Sequence, residues 1–66
     1  MKNILKEERL KRQLTQVQLA EMVNVSRQTI ISIEINRYVP SVVLSLKLAK
    51  TLGLQIEDIF MLEPSD

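Results

Sequence analysis

The stretch Thr15–Ser41, TQVQLAEMVNVSRQTIISIEINRYVPS, decides how the whole chain is read. It divides into two short helical segments joined by a tight turn and followed by a loop. Thr15 and Gln18 are spaced as a capping box, in which the hydroxyl takes a free backbone N–H and the amide reaches back to the cap. Leu19, Ala20 and Val23 then form an inner face, with Ala20 small enough to let two helices approach closely. Asn24 suits the left-handed residue that ends a helix, Val25 plugs the turn, and Ser26 caps the next segment. In that segment, at about 100° per residue, Ile30 and Ile33 point one way. Arg27, Gln28, Ile31, Ser32 and Ile35 share the opposite side. One face anchors the helix in a core; the other presents an arginine, a glutamine and a serine to something outside.

Working outward, Asn36 offers a second left-handed turn and Pro40 forbids further helix. Ser41 caps a helix over residues 42–52, with Leu44, Leu48, Ala49 and Leu52 inward and Gly53 at its end. A short helix over residues 56–60 offers Ile56, Ile59 and Phe60 to the core. Upstream, residues 4–13 read as a first helix capped by Asn3, although Glu8 falls one turn after Leu5, where the pattern calls for an apolar side chain. The expectation is an all-α, compact five-helix domain spanning residues 1–66, with the helix-turn-helix at about 15–35. The N-terminal MKNIL is placed to pair with the tail as a short strand.

Composition narrows the chemistry. Cysteine and histidine are both absent, which removes thiolate nucleophiles, the usual general base and the commonest metal ligands. A single glycine, Gly53, leaves no glycine-rich phosphate loop. No enzyme activity, cofactor, metal or small-molecule ligand is expected, and no apolar run is long enough to span a membrane. A cytoplasmic, nucleoid-associated protein is the corresponding expectation. Residues 1–14 carry five basic and two acidic side chains, whereas residues 42–66 carry two basic and four acidic ones. A basic front and an acidic back suit a molecule that sets one face against phosphates.

The segments LTQVQLAEMVNVSRQTIISIE, NRYVPS and LKLAKTLGLQIEDIF resemble the phage-repressor family of helix-turn-helix domains, the lambda-repressor-like or Xre-type group. The resemblance runs from about residue 3 to residue 60 and is strongest to short stand-alone members. It implies a sequence-specific regulator of transcription that binds double-stranded DNA as a homodimer, at a near-palindromic operator, with the helix at 27–35 in the major groove. By the same resemblance Arg27, Gln28 and Ser32 match base-reading positions, and Thr29 a contact to phosphate or a thymine methyl. Gln16, Asn36, Arg37 and Tyr38 match phosphate contacts, and Arg9 with Glu34 matches an ion pair that orients the recognition helix. Side-chain chemistry agrees, since arginine can grip guanine O6 and N7 together and glutamine can pair with adenine N6 and N7. Tyr38 is expected to lay its ring on the core. Three departures stand out: Gln13, Asn24 and Asn36 replace the usual glycines, Ile35 replaces a polar residue, and Glu8 an apolar one.

The apolar residues near the C-terminus, Phe60, Met61 and Leu62, are the expected dimer interface; the alternative is that Met61 and Leu62 finish the monomer core. Repression is the expected mode because nothing remains to recruit polymerase, with activation through a surface patch left open. The rival from another class is a protein-interaction module, an antitoxin or adaptor on the same scaffold. The outward Val17, Ile31, Ile35 and Val39 speak for it, although a thymine methyl can also use Ile31.

Overall fold

A computed structural model covers residues 1–66. In chain order the elements are β1 (Lys2–Asn3), α1 (Leu5–Lys11), α2 (Gln16–Met22), α3 (Arg27–Glu34), α4 (Val42–Leu52), α5 (Ile56–Ile59) and β2 (Phe60–Met61). The five helices wrap a core that includes Leu5, Leu19, Ile30, Ile33, Leu48 and Ile59, all fully buried. The two strands pair antiparallel, Lys2 opposite Met61 and Asn3 opposite Phe60, so the ends of the chain close on each other. The Met1 ammonium extends this closure to the Asp66 carboxylate at 3.0 Å.

The caps fall where the sequence places them. Thr15 Oγ1 accepts from the Gln18 N–H at 3.0 Å while Gln18 Oε1 accepts from the Thr15 N–H at 2.8 Å. Ser26 Oγ takes the Thr29 N–H and Ser41 Oγ the Leu44 N–H, starting α3 and α4. Gly53 ends α4 at φ +70°, and Gln13, Asn24 and Asn36 hold φ of 56°, 64° and 62°. The last three are the positions where the resemblance leads one to expect glycine, and each accepts the strain of a Cβ in left-handed backbone.

Four expectations change. Helix α1 spans Leu5–Lys11 rather than 4–13, because Arg12 leaves helical geometry and Gln13 turns left-handed. The cap position of α1 is Ile4 rather than Asn3, which joins the expected terminal strand pairing while its Oδ1 still accepts the Leu5 N–H at 3.1 Å. Helix α5 stops at Ile59, and Phe60 passes into β2 with its ring in the core. Phe60 is therefore not a free interface residue, whereas Leu62 is 84% exposed and Met61 half-buried. Tyr38 stays 44% exposed instead of lying on the core.

Glu8, which breaks the apolar pattern of α1, is buried as a charge with partners. Its carboxylate accepts from Lys11 Nζ at 3.0 Å and from Arg12 Nη1 at 2.9 Å. Arg12 continues outward, donating from Nε to the Leu52 carbonyl at 3.0 Å. One of the carbonyls left open at the end of α4 is satisfied in this way. The hydrogen bonds from Lys11, then Arg12, hold the Glu8 carboxyl below its ordinary pKa.

Candidate nucleic-acid interface

The outer side of α3 is held from behind by a chain of four polar side chains. Arg9 on α1 grips Glu34 at the end of α3 through Nε at 2.7 Å and Nη2 at 3.2 Å, and its Nη1 donates to the Leu14 carbonyl at 2.8 Å. Both charged side chains are almost fully removed from water, at 7% and 3% exposure. Gln16 at the start of α2 donates from Nε2 to Glu34 Oε1 at 3.2 Å. Its Oε1 in turn accepts from Arg27 Nε at 3.2 Å. The ion pair thus reaches, through one glutamine, the first residue of α3.

This arrangement sets what Arg27 can do. Its Nε is spent on Gln16, and its two terminal nitrogens make no bond within the chain. A guanidinium tethered at its root presents its outer edge as a pre-formed fork, the geometry that binds two acceptors side by side. Gln28 and Ser32 lie beside it and are linked to each other, Gln28 Nε2 donating to Ser32 Oγ at 3.4 Å. Thr29 turns back toward its own cap, its hydroxyl 3.0 Å from Ser26 Oγ. Glu34 is the one acidic residue on α3, and Arg9 neutralises it, so the outward face carries no free carboxylate.

The loop after α3 is fixed to the same unit. The N–H groups of Arg37 and Tyr38 both donate to the Ser32 carbonyl, at 2.9 and 3.2 Å. The Asn36 Oδ1 accepts from Asn3 Nδ2 at 2.9 Å, and Asn3 Nδ2 also reaches the Ile33 carbonyl at 3.0 Å. Asn3 therefore ties the N-terminal strand to the end of α3, a role that its sequence position as a helix cap did not reveal. Arg37 has no ion-pair partner and stands exposed beside this anchor.

The basic N-terminal segment is less available than its composition implies. Of its five cations, Arg9, Lys11 and Arg12 are engaged with Glu34 and Glu8, leaving Lys2 and Lys6 unpaired. Composition counts charges, but the fold spends three of these on internal carboxylates. The positive charge that stays free at the α2–α3 side is Arg27 and Arg37.

A capped helix, a left-handed turn and a second helix with an anchored inner face and a polar outer face define a helix-turn-helix unit. The helix-turn-helix family profile matches residues 5–59, and the chain belongs to that family, in its Xre-type branch of transcriptional regulators rather than enzymes. An HTH-type transcriptional regulator of Methanocaldococcus jannaschii is 52% identical over 66 residues, covering 100% of both chains. The immunity repressor of Bacillus phage phi105 is 47% identical over 51 residues, 77% of this chain and 35% of that protein. Among solved structures, the restriction-modification controller protein C.AhdI of Aeromonas hydrophila superposes with a TM-score of 0.79 at 30% identity, covering 85% of each chain. The clp gene regulator ClgR of Corynebacterium glutamicum gives 0.77 at 28% identity over 82% of this chain, which spans 57% of that longer one.

Proposed function

We propose that this regulator binds double-stranded DNA as a homodimer, with α3 in the major groove of each half of a near-palindromic operator, and that it represses transcription. The observation that carries the reading is the tethered Arg27, whose free fork stands at the exposed start of α3 on a face without a free carboxylate. Gln28 and Ser32 supply further base-edge partners beside it, while Gln16, Asn36, Arg37 and Tyr38 frame the helix at the positions suited to phosphates. Thr29, turned to its cap, serves at the backbone edge rather than at a base. Half-sites one helical turn apart are separated by about 34 Å. Each copy carries a single α3, so one copy cannot fill both half-sites.

A second copy has a surface to meet. Leu46, Ala49, Leu54 and Ile56 line an open depression of about 660 Å³ between α4 and α5, with Lys50 and Glu57 at its edge. Neither of these two charges is paired within the chain, and opposite charges on one patch can cross-pair about a two-fold axis. This depression takes the place of the buried Phe60 in the dimer interface, beside Met61 and the exposed Leu62.

The test is binding of fluorescent duplex DNA across a salt series. Log affinity should fall linearly with log salt concentration, even on random duplex. Replacing Arg27 and Gln28 together with Ala should abolish preference for a selected site while leaving helical content and dimer mass intact. An unchanged preference in that variant would remove α3 from the recognition role and favour the protein-partner reading.

A further inference from the structure

The outward face of α3 contains more than polar readers. In the order of their angles around the helix, about 40° separates Arg27 from Ile31, and a further 40° separates Ile31 from Ile35, with Gln28 and Ser32 beyond. An apolar ridge therefore runs along the centre of the face, between the arginine fork and the Gln28–Ser32 pair. Neither isoleucine belongs to the core. Ile30 and Ile33 fill that role with no exposure, whereas Ile31 is half-exposed and Ile35 is 56% exposed at the end of the helix. Isoleucine is also a poorer helix former than the polar residues that suit an outer face, so helix propensity does not account for it.

We propose that Ile31, with Ile35 one turn on, reads the C5-methyl group of thymine, so that the half-site places a thymine within about two base pairs of the guanine gripped by Arg27. The inference rests on the DNA-binding reading above and names what part of the half-site the ridge selects. The thymine methyl is the apolar feature of the major-groove floor, and cytosine offers only a donor at the neighbouring position. Four residues of helix advance about 6 Å along the axis, against about 3.4 Å per base pair, which sets the spacing between the two contacts. The electrostatics select DNA over an apolar protein surface as the occupant. The ridge is bounded by Arg27 at one end and Arg37 just beyond the other, and the helix's sole carboxylate is neutralised behind it.

The experiment begins with duplexes selected by the full chain from a random-sequence pool. In the enriched site each thymine is replaced in turn by deoxyuridine, which removes the methyl and changes no hydrogen-bonding group. One thymine per half-site, within two base pairs of a guanine, should lose about fourfold in affinity on this change, the value of one buried methyl-sized group. In Ile31→Ala that loss should vanish, with the variant binding thymine and uracil sites alike; Ile35→Ala should show a smaller, separate loss of discrimination. The deoxyuridine series on the unaltered protein needs no variant to fold. Uracil tolerated at every position, or a methyl effect that persists undiminished in both variants, overturns the inference. So does enrichment of no sequence at all while salt-dependent binding to random duplex is intact. Absence of salt-dependent binding to any duplex would instead overturn the DNA reading itself.

Discussion

Arg9 and Arg12 stand one turn apart at the end of the first helix, and each holds a glutamate, yet they do different work. Arg9 reaches across 25 residues of sequence to Glu34 and is buried with it, joining α1 to α3 and, through Gln16, to Arg27. Arg12 holds Glu8 on its own turn, remains 32% exposed, and uses its remaining reach to close the end of α4. The first pair transmits position to the site, whereas the second finishes a helix end. Similar chemistry on one short helix has separate consequences because one pair is long-range and dry on both sides, whereas the other is local and open to water on its arginine side.

The largest effect should come from breaking the dry pair on one side. Arg9→Ala leaves Glu34 as an uncompensated buried charge, a loss of about 3–5 kcal/mol. A chain of this size has roughly 3–10 kcal/mol in total, so the variant should lose a large share of its stability and melt far below the parent in thermal melts followed by circular dichroism. Arg12→Ala should melt between it and the parent, since Lys11 still pairs with Glu8. Coincident melting curves for the two variants would erase the distinction.

Replacing both members of the dry pair separates stability from positioning. Arg9→Met with Glu34→Leu removes two desolvated charges together and should recover most of the stability. Gln16 then loses its acceptor, and Arg27 its ordered tether. Affinity for a selected site should drop by about fivefold to tenfold, the worth of about one hydrogen bond, while binding to random duplex keeps its salt slope. A double variant that is as site-selective as the parent would mean that Arg27 orients itself without the chain behind it.

The contrast between the two arginines also marks what could be read in advance. The helix-turn-helix was legible because its signals are local: Thr15 with Gln18, Asn24, Ser26, and the inward pair Ile30 and Ile33 specify caps, turn and face within a few residues each. Helix α4 was equally plain from Ser41 to Gly53. The Arg9–Glu34 pairing came from family resemblance alone, since no spacing rule relates residues 25 apart. Glu8 was opaque because its burial depends on the Leu52 carbonyl, 44 residues away, drawing Arg12 over it. Phe60 suited both the core and a dimer interface for a related reason: helical periodicity says that the ring is apolar, but the pairing of β2 with β1 decides that it turns inward.

Left-handed backbone gives a milder test. Gln13 has no short side chain to ease its φ of 56°, so Gln13→Gly should stabilise by about 0.5–1 kcal/mol. Asn24→Gly should gain less, because asparagine tolerates this geometry. Asn36→Gly should gain nothing, as relief of strain is offset by loss of the bond from Asn3 that fixes the end of α3. Chemical denaturation of the three variants should therefore rank them in that order, and a gain at Asn36 equal to that at Gln13 would show that the Asn3 bond contributes nothing.

The smallest effect is expected at Glu8, and its pH dependence gives it a signature. Hydrogen bonds from Lys11 and then Arg12 lower the pKa of this carboxyl in the folded chain. The unfolded chain therefore takes up the proton first as pH falls. Stabilisation by Glu8 is complete above the ordinary glutamate range and is lost as pH drops through the lowered folded value. Glu8→Gln should be less stable than the parent at neutral pH and should converge on it in acid. Glu8→Leu sharpens the comparison further, because it restores the apolar pattern while Arg12 keeps the carbonyls of Glu8 and Leu52, which are backbone atoms unaffected by the change. That variant should fold nearly as well as the parent at neutral pH, whereas Glu34→Leu, with Arg9 left charged and buried, should not. The same substitution at two glutamates, each held by an arginine near the end of α1, then separates a charge that could be dispensed with from one on which the placement of α3 depends.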